Sequence, residues 1–313
     1  MANKITIIGA GQVGSSIAYA LCLKSIATEI VMIDIDTNRA MGEALDIRQG
    51  TPYMSPVNIH EGSYEDAKNS DLVIVTSGVA RKAGQSRLDL AQTNVNIIKS
   101  IIPQITKAAP NAIYVIVANP VDILTYQFVK TSGIPADHII GTGTLLDTAR
   151  LRTKIADVYG IGQPNLHAYV FGEHGDSSFV PWSLVNVASV PVDAYYDSLN
   201  GKGKQKPNHE EIEEFVRKSG GIIIAAKKCT NYGIGATTAR LCEIVKNAND
   251  SVTIASTMLT GEYGISDVCL SILTVVGGNG VTGRLVAPLT ESEISSLQHS
   301  AECLKDVIKQ LEF

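Results

Sequence analysis

The residues Gly172-Glu173-His174-Gly175-Asp176 hold one histidine between two glycines, flanked by carboxylates. They follow the apolar run Ala168-Tyr169-Val170-Phe171, so the pattern reads as a strand ending in a tight turn that presents one imidazole at a fixed place. Imidazole titrates near neutrality, which suits a fixed one facing a cleft to moving a proton at physiological pH. Most histidines are surface or core residues, so the case rests on the company this one keeps. Asn119-Pro120-Val121-Asp122 ends a buried apolar run, and Asp147-Thr148-Ala149-Arg150 follows in a helical pattern. Asp147 and Arg150 are three apart, hence on one helix face. A carboxylate beside an imidazole fixes its tautomer and raises its pKa, and an arginine fork grips a substrate carboxylate through two parallel hydrogen bonds. Alone, the same two residues read more simply as a surface ion pair.

A second constellation lies at the start of the chain. Gly9, Gly11 and Gly14 form G-x-G-x-x-G after one strand-like run and at the mouth of a helical one. There glycines permit a tight turn and let the backbone approach a pyrophosphate, which a helix N-terminus attracts. Asp34 lies twenty residues past Gly14, at the end of the run Ile30-Val31-Met32-Ile33. A carboxylate there accepts hydrogen bonds from the adenosine ribose and repels a 2′-phosphate, which favours NAD over NADP. The competing role for Asp34, a helix cap, falls more naturally to Asp36.

These residues need a scaffold. Apolar runs at 5–8, 30–33, 72–75, 113–117 and 139–140 alternate with helical patterns such as 13–23 and 88–102. Several runs are continuously apolar, as parallel strands buried on both faces are. The expected fold is α/β, a doubly wound parallel (Rossmann) sheet over residues 1–143, followed by a mixed α+β domain over 144–313. Gly141-Thr142-Gly143 closes the first part. The second part carries helical patterns near 147–159, 208–229 and 291–311, strand-like runs near 166–171 and 267–275, and a loop-like stretch at 200–207.

Composition narrows the class. At 313 residues, 45% apolar and 18% charged, the chain is an ordinary globular one of about two domains. A net charge of −5 gives no reason to expect nucleic acid or an anionic membrane as partner. The five cysteines (Cys22, Cys229, Cys242, Cys269 and Cys303) form no C-x-x-C pair, so neither a disulfide framework nor a metal site is expected. Without a signal-peptide pattern or an apolar run of membrane-spanning length, a cytoplasmic location is expected.

Across nearly its whole length the chain resembles the L-lactate/L-malate dehydrogenase family. The resemblance rests on the glycine fingerprint, on 119–122, on 147–150 and on 172–177, in the family's order and spacing. It implies hydride transfer between NADH and the keto carbon of a 2-oxo acid. His174 would donate the proton, Asp147 would support the imidazolium, Arg150 would hold the substrate carboxylate, and Asn119 would bind near the nicotinamide and substrate oxygen. Gly9, Gly11, Val13, Gly14, Asp34, Arg39, Gly78, Asn119 and Ile234 are the implied cofactor contacts. The stretch 79–87 resembles the family's mobile substrate loop, with Arg87 matching the arginine that polarises the carbonyl.

Within that family Arg81 is the discordant residue. Its position usually carries glutamine in the lactate branch and arginine in the malate branch, where a guanidinium pairs the second carboxylate of oxaloacetate. Glu173, the run 119–125, Thr230 and Ile234 side with lactate; Thr230 would narrow the pocket around a methyl group. The balance favours pyruvate/L-lactate, with malate or dual specificity as the alternative. Arg152 and His167 match positions that bind fructose 1,6-bisphosphate across a subunit interface in bacterial relatives, and the family implies a homotetramer. Two other classes compete. An NAD-dependent glycoside hydrolase would need a metal site near Asn119, where no cysteine or histidine lies. A nucleotide-binding regulator without catalysis is opposed by the full set His174, Asp147, Arg150 and Arg87.

Overall fold

A computed structural model of the chain describes residues 3–80, 86–198, 207–247 and 249–313. The Arg81 position and most of the loop-like stretch 200–207 therefore lie outside the described residues. The first part alternates as expected: β1 (Lys4–Ile8), α1 (Gln12–Leu23), β2 (Glu29–Ile33), α2 (Thr37–Gly50), β3 (Asn58–Glu61), β4 (Leu72–Val75), α3 (Arg87–Ala108), β5 (Ile113–Ile116), α4 (Val121–Thr131) and β6 (Ile139–Gly141). These six strands are parallel to their neighbours in the order β6-β5-β4-β1-β2-β3. The chain runs outward from β1 to β3, then returns to the other side of β1 with β4. That reversal opens a crevice at the carboxyl ends of β1 and β4, where open α/β sheets bind their ligands.

The central strands carry apolar residues at every position because helices cover both faces. Every residue of β4 and β5 is buried, as are Ile5, Ile7 and Ile8 of β1. Each such isoleucine contributes about 1.5–3 kcal/mol on burial. Helix α3 runs through Pro103 to Ala108, farther than the pattern 88–102 suggested.

Beyond Gly143 come α5 (Leu145–Tyr159), β7 (Leu166–His167), β8 (Asn186–Val187), β9 (Val190–Pro191), α6 (Val192–Ser198), α7 (His209–Lys227) and α8 (Tyr232–Lys246). After them follow β10 (Ser251–Thr260), β11 (Ser266–Gly277), β12 (Gly280–Arg284) and α9 (Glu291–Ile308). Strands β10 to β12 are antiparallel and join the parallel sheet through Ser256 of β10 opposite Gly141 of β6. The result among the described residues is one nine-stranded mixed sheet, with β7, β8 and β9 forming a separate small one. The strand-like run near 166–171 pairs regularly only at Leu166–His167. Farther on, Phe171 and Gly172 make single bridges to Phe179 and Ser271.

Helix α8 packs closely on α1, where a Cβ on Gly235 would come within 3.0 Å of the Ser16 carbonyl oxygen. Asn231, just before α8, donates to the Ser16 hydroxyl at 2.8 Å. No helix among the described residues is long and apolar enough to cross a membrane.

Candidate active site

The three fingerprint glycines meet three different demands. Gly9 has φ +105°, and a Cβ there would lie 2.5 Å from the Thr76 hydroxyl at the end of β4. Gly14 lets α1 close on the turn, since a Cβ would fall 1.9 Å from the Gly9 carbonyl oxygen. Gly11 instead faces open space, where a Cβ would have the Arg39 guanidinium, 3.9 Å away, as its nearest neighbour. A bare backbone beside open space, at a helix start with no side-chain cap, suits a pyrophosphate. Asp34 ends β2 and accepts the Ala10 N–H at 2.6 Å and the Asp36 N–H at 3.0 Å. The capping of α2 falls to Asp36, which accepts the Arg39 N–H at 3.1 Å. These residues fit a dinucleotide, with the carboxylate of Asp34 at the tip of β2 where a ribose would lie. Gly78 rests against Asn94, whose amide bonds the Val79 N–H and the Asn119 carbonyl oxygen.

Across the crevice, the histidine turn is braced from several elements. Gly172 has φ +93°, and a Cβ there would approach the Ser300 hydroxyl of α9 to 2.7 Å. That hydroxyl accepts the Glu173 N–H at 2.8 Å, and Glu173 in turn accepts from Ser177 at 2.6 Å. Asp122, in the first turn of α4, accepts the His174 N–H at 2.7 Å. The ring is held by its own partner: His174 Nδ1 lies 2.6 Å from Asp147 Oδ2. Arg150 donates to the other Asp147 oxygen at 2.8 Å. With Nδ1 engaged, Nε2 is the nitrogen left to exchange a proton.

Electrostatics follow from this geometry. Burial disfavours the imidazolium, but the Asp147 charge and hydrogen bond outweigh it and hold His174 above the ordinary histidine value. Burial likewise opposes ionisation of Asp147, yet His174 and Arg150 together keep its carboxyl below the usual aspartate value. Each group thus favours the charged form of the other.

His174, Asp147, Arg150, Asn119, Thr230 and Ile234 share one cavity of about 330 Å³, into which Val13 also reaches from α1. Helix α7 closes one side, with Gly220 against the Arg150 guanidinium. Arg87 is placed elsewhere. It starts α3 behind the Ser86 cap and is 72% exposed; it does not itself line the cavity, but it pairs at 2.5 Å with Asp176, which does. Arg152 donates to the Ala168 carbonyl oxygen at 3.0 Å and lies 5.2 Å from the Tyr169 ring. His167 is exposed on β7, one residue before that carbonyl.

Sequence reasoning passed over Asn94 and Ser300, and it saw Asp122 only as part of a motif. Their partners lie 15 to 127 residues away in the chain, and nothing in their local pattern announces them.

The switch-point crevice, the glycine turn and the imidazole–carboxylate–guanidinium group define an NAD-dependent oxidoreductase. Residues 3–141 match the lactate/malate dehydrogenase NAD binding domain, and residues 144–312 match the lactate/malate dehydrogenase alpha/beta C-terminal domain. The chain belongs to the lactate/malate dehydrogenase family. It is similar to the L-lactate dehydrogenase of Thermoanaerobacter sp. (strain X514), 44% identical over 310 residues and 99% of each chain. The Acetivibrio thermocellus L-lactate dehydrogenase is 42% identical over 311 residues, 99% of this chain and 98% of that one. Among solved structures, the minor L-lactate dehydrogenase of Enterococcus mundtii superposes with TM-score 0.94 at 36% identity, covering 100% of this chain and 99% of the other. These relatives favour lactate, and the malate alternative is not favoured.

Proposed function

We propose that the chain reduces pyruvate to L-lactate, reversibly, with His174 as the proton donor. The observation that carries this reading is the contact chain His174–Asp147–Arg150 on the wall of one cavity. NADH, when bound, would supply a hydride to the keto carbon. Gly9, Gly11, Val13, Gly14, Asp34, Arg39, Gly78, Asn119 and Ile234 would hold it, with residues 1–143 as the cofactor half and 144–313 as the substrate half. Arg150 grips the substrate carboxylate in a planar fork, which orients the keto group toward His174. His174 Nε2 gives its proton to the keto oxygen, and Asp147 stabilises the imidazolium until it does so. Asn119 binds the same oxygen, Thr230 limits the space beside the methyl group, and Ile234 gives the nicotinamide an apolar wall.

Arg87 pairs with Asp176 of the cavity lining, and its carbonyl-polarising role would need the guanidinium to turn toward the substrate as water is expelled. Arg81 is read as the residue that would pair a second substrate carboxylate when one is present. A cytoplasmic homotetramer is the assembly we favour. Its support is the exposed Tyr19 and Leu23 of α1 and Tyr232 of α8, which line one surface groove. Arg152, which bonds the Ala168 carbonyl, and the exposed His167 of β7 would bind fructose 1,6-bisphosphate between subunits. Chromatographic mass with and without that sugar bisphosphate tests both points.

The test of the main reading is NADH absorbance after adding pyruvate or oxaloacetate to wild type and to His174→Asn. Pyruvate should be the preferred substrate, and the variant should bind NADH yet turn over at least about a thousandfold more slowly. Turnover surviving in the variant would sink the mechanism.

A further inference from the structure

Asp122 is a buried carboxylate that the reaction just described does not use. It lies in the first turn of α4, 3% exposed, and its Oδ2 accepts the His174 backbone N–H. Its other oxygen, Oδ1, has no hydrogen-bond partner among the described residues. The buried Ser256 hydroxyl of β10 lies beside it, outside strict hydrogen-bond geometry yet close enough to favour the carboxylate. A half-satisfied buried carboxylate is costly, and a neutral side chain could accept the same N–H for less. The free N–H groups at the start of α4 offset part of that cost by favouring an anion there. The remaining reason to keep an acid at this place is its charge, and the group nearest to hand that a negative charge would serve is the His174 imidazolium.

We infer that Asp122 is a second positioning carboxylate of the proton-donating site, fixing the His174 turn through its N–H and holding the imidazole protonated through its buried charge. This rests on the reading of His174 as proton donor. The titratable groups around Asp122 are His174 and Glu173 from the turn and Cys269 from β11, with Asp147 and Arg150 acting on the same ring from α5. Burial keeps Cys269 a neutral thiol. Burial also raises the Asp122 acid to about 6, so above that pH it is ionised where an imidazolium is wanted. Asp147 orients the ring and Asp122 orients the backbone that carries it, and both bring negative charge.

Asp122→Asn keeps the shape and still offers an oxygen to the His174 N–H, but removes the charge. In kcat/KM for pyruvate, the limb that falls with rising pH should move acidward by about half to one unit. Activity above the limb then drops about three- to tenfold, while the low-pH plateau, NADH affinity and melting temperature stay near wild type. Ser256→Ala changes no charge and should leave the limb in place. An unmoved limb in Asp122→Asn, a uniform loss at every pH, or an equal shift in Ser256→Ala overturns the inference. If the asparagine variant melts early, NMR titration of the wild-type His174 ring decides. A second inflection near pH 6 supports the coupling, and its absence overturns it. Failure of the underlying reading shows differently, as wild type without pyruvate turnover or His174→Asn with it.

Discussion

The 2.6 Å contact between His174 and Asp147 sets the pH behaviour of the site. Its direction can be worked out from the raised histidine pKa. Reduction needs the imidazolium, so pyruvate turnover should hold at low pH and fall as pH rises through a value above 6.5. Lactate oxidation needs the neutral ring and should rise through the same value. Asp147→Asn removes the charge that outweighs burial, and it also unpairs Arg150. The reduction limb should then move down by about one to three units, with KM for pyruvate raised as well. A profile superposable on wild type would show that Asp147 only orients the ring. Arg81 yields a separate prediction from charge pairing. Arg81→Gln should cut any side activity on oxaloacetate by at least about tenfold while changing the pyruvate rate less than about threefold, read as kcat/KM for both acids.

At the scale of elements, the glycine turn separates fold from binding. A Cβ on Gly14 would clash with backbone, so Gly14→Ala should destabilise by about 1–3 kcal/mol or more, seen as a lower melting temperature. Gly11→Ala meets only the far end of Arg39 and should fold normally, yet bind NADH at least about tenfold more weakly because its methyl enters the phosphate's space. The elements around this turn were readable because β1, β2, β4 and β5 are buried on both faces and stay apolar throughout. Helix α4 was not, since it buries Asp122, Thr125 and Gln127 with its apolar residues and shows no stripe. The Thr125 hydroxyl and the Gln127 amide N–H donate to backbone carbonyls of Val121 and Val95. Strand β10 hides likewise behind buried Thr253, Ser256 and Thr257. In the site, His174, Asp147 and Arg150 were legible by type and spacing. The Asp122–His174 bond was not, because 52 residues separate the partners and only the fold brings them together. Arg87 was assigned through resemblance, and the fold pairs it with Asp176 on the surface.

For the whole molecule, packing runs across the boundary near residue 143. Both large cores draw on both sides of it, for example Phe171, Ile254 and Leu297 with Val73 and Ile116, or Leu241 and Ala255 with Ile7 and Ile30. A third core is built only from the stretch between Leu151 and Val216, over the small β7–β9 sheet. This smaller body has two-residue strands and less apolar surface to bury, so it should open at lower denaturant than the nine-stranded sheet. Trp182, the single tryptophan, packs on its edge and donates to Glu213 of α7 at 2.7 Å. Helix α5 packs this third core with Leu151 and Ile155 while carrying Asp147 and Arg150 in the site. In a urea titration at fixed protein concentration, loss of Trp182 fluorescence and loss of pyruvate turnover should therefore coincide. Both should precede the far-ultraviolet signal of the large sheet. Three superposable transitions would mean instead that the third core and the sheet unfold as one unit, with α5 transmitting no separate weakness to the site.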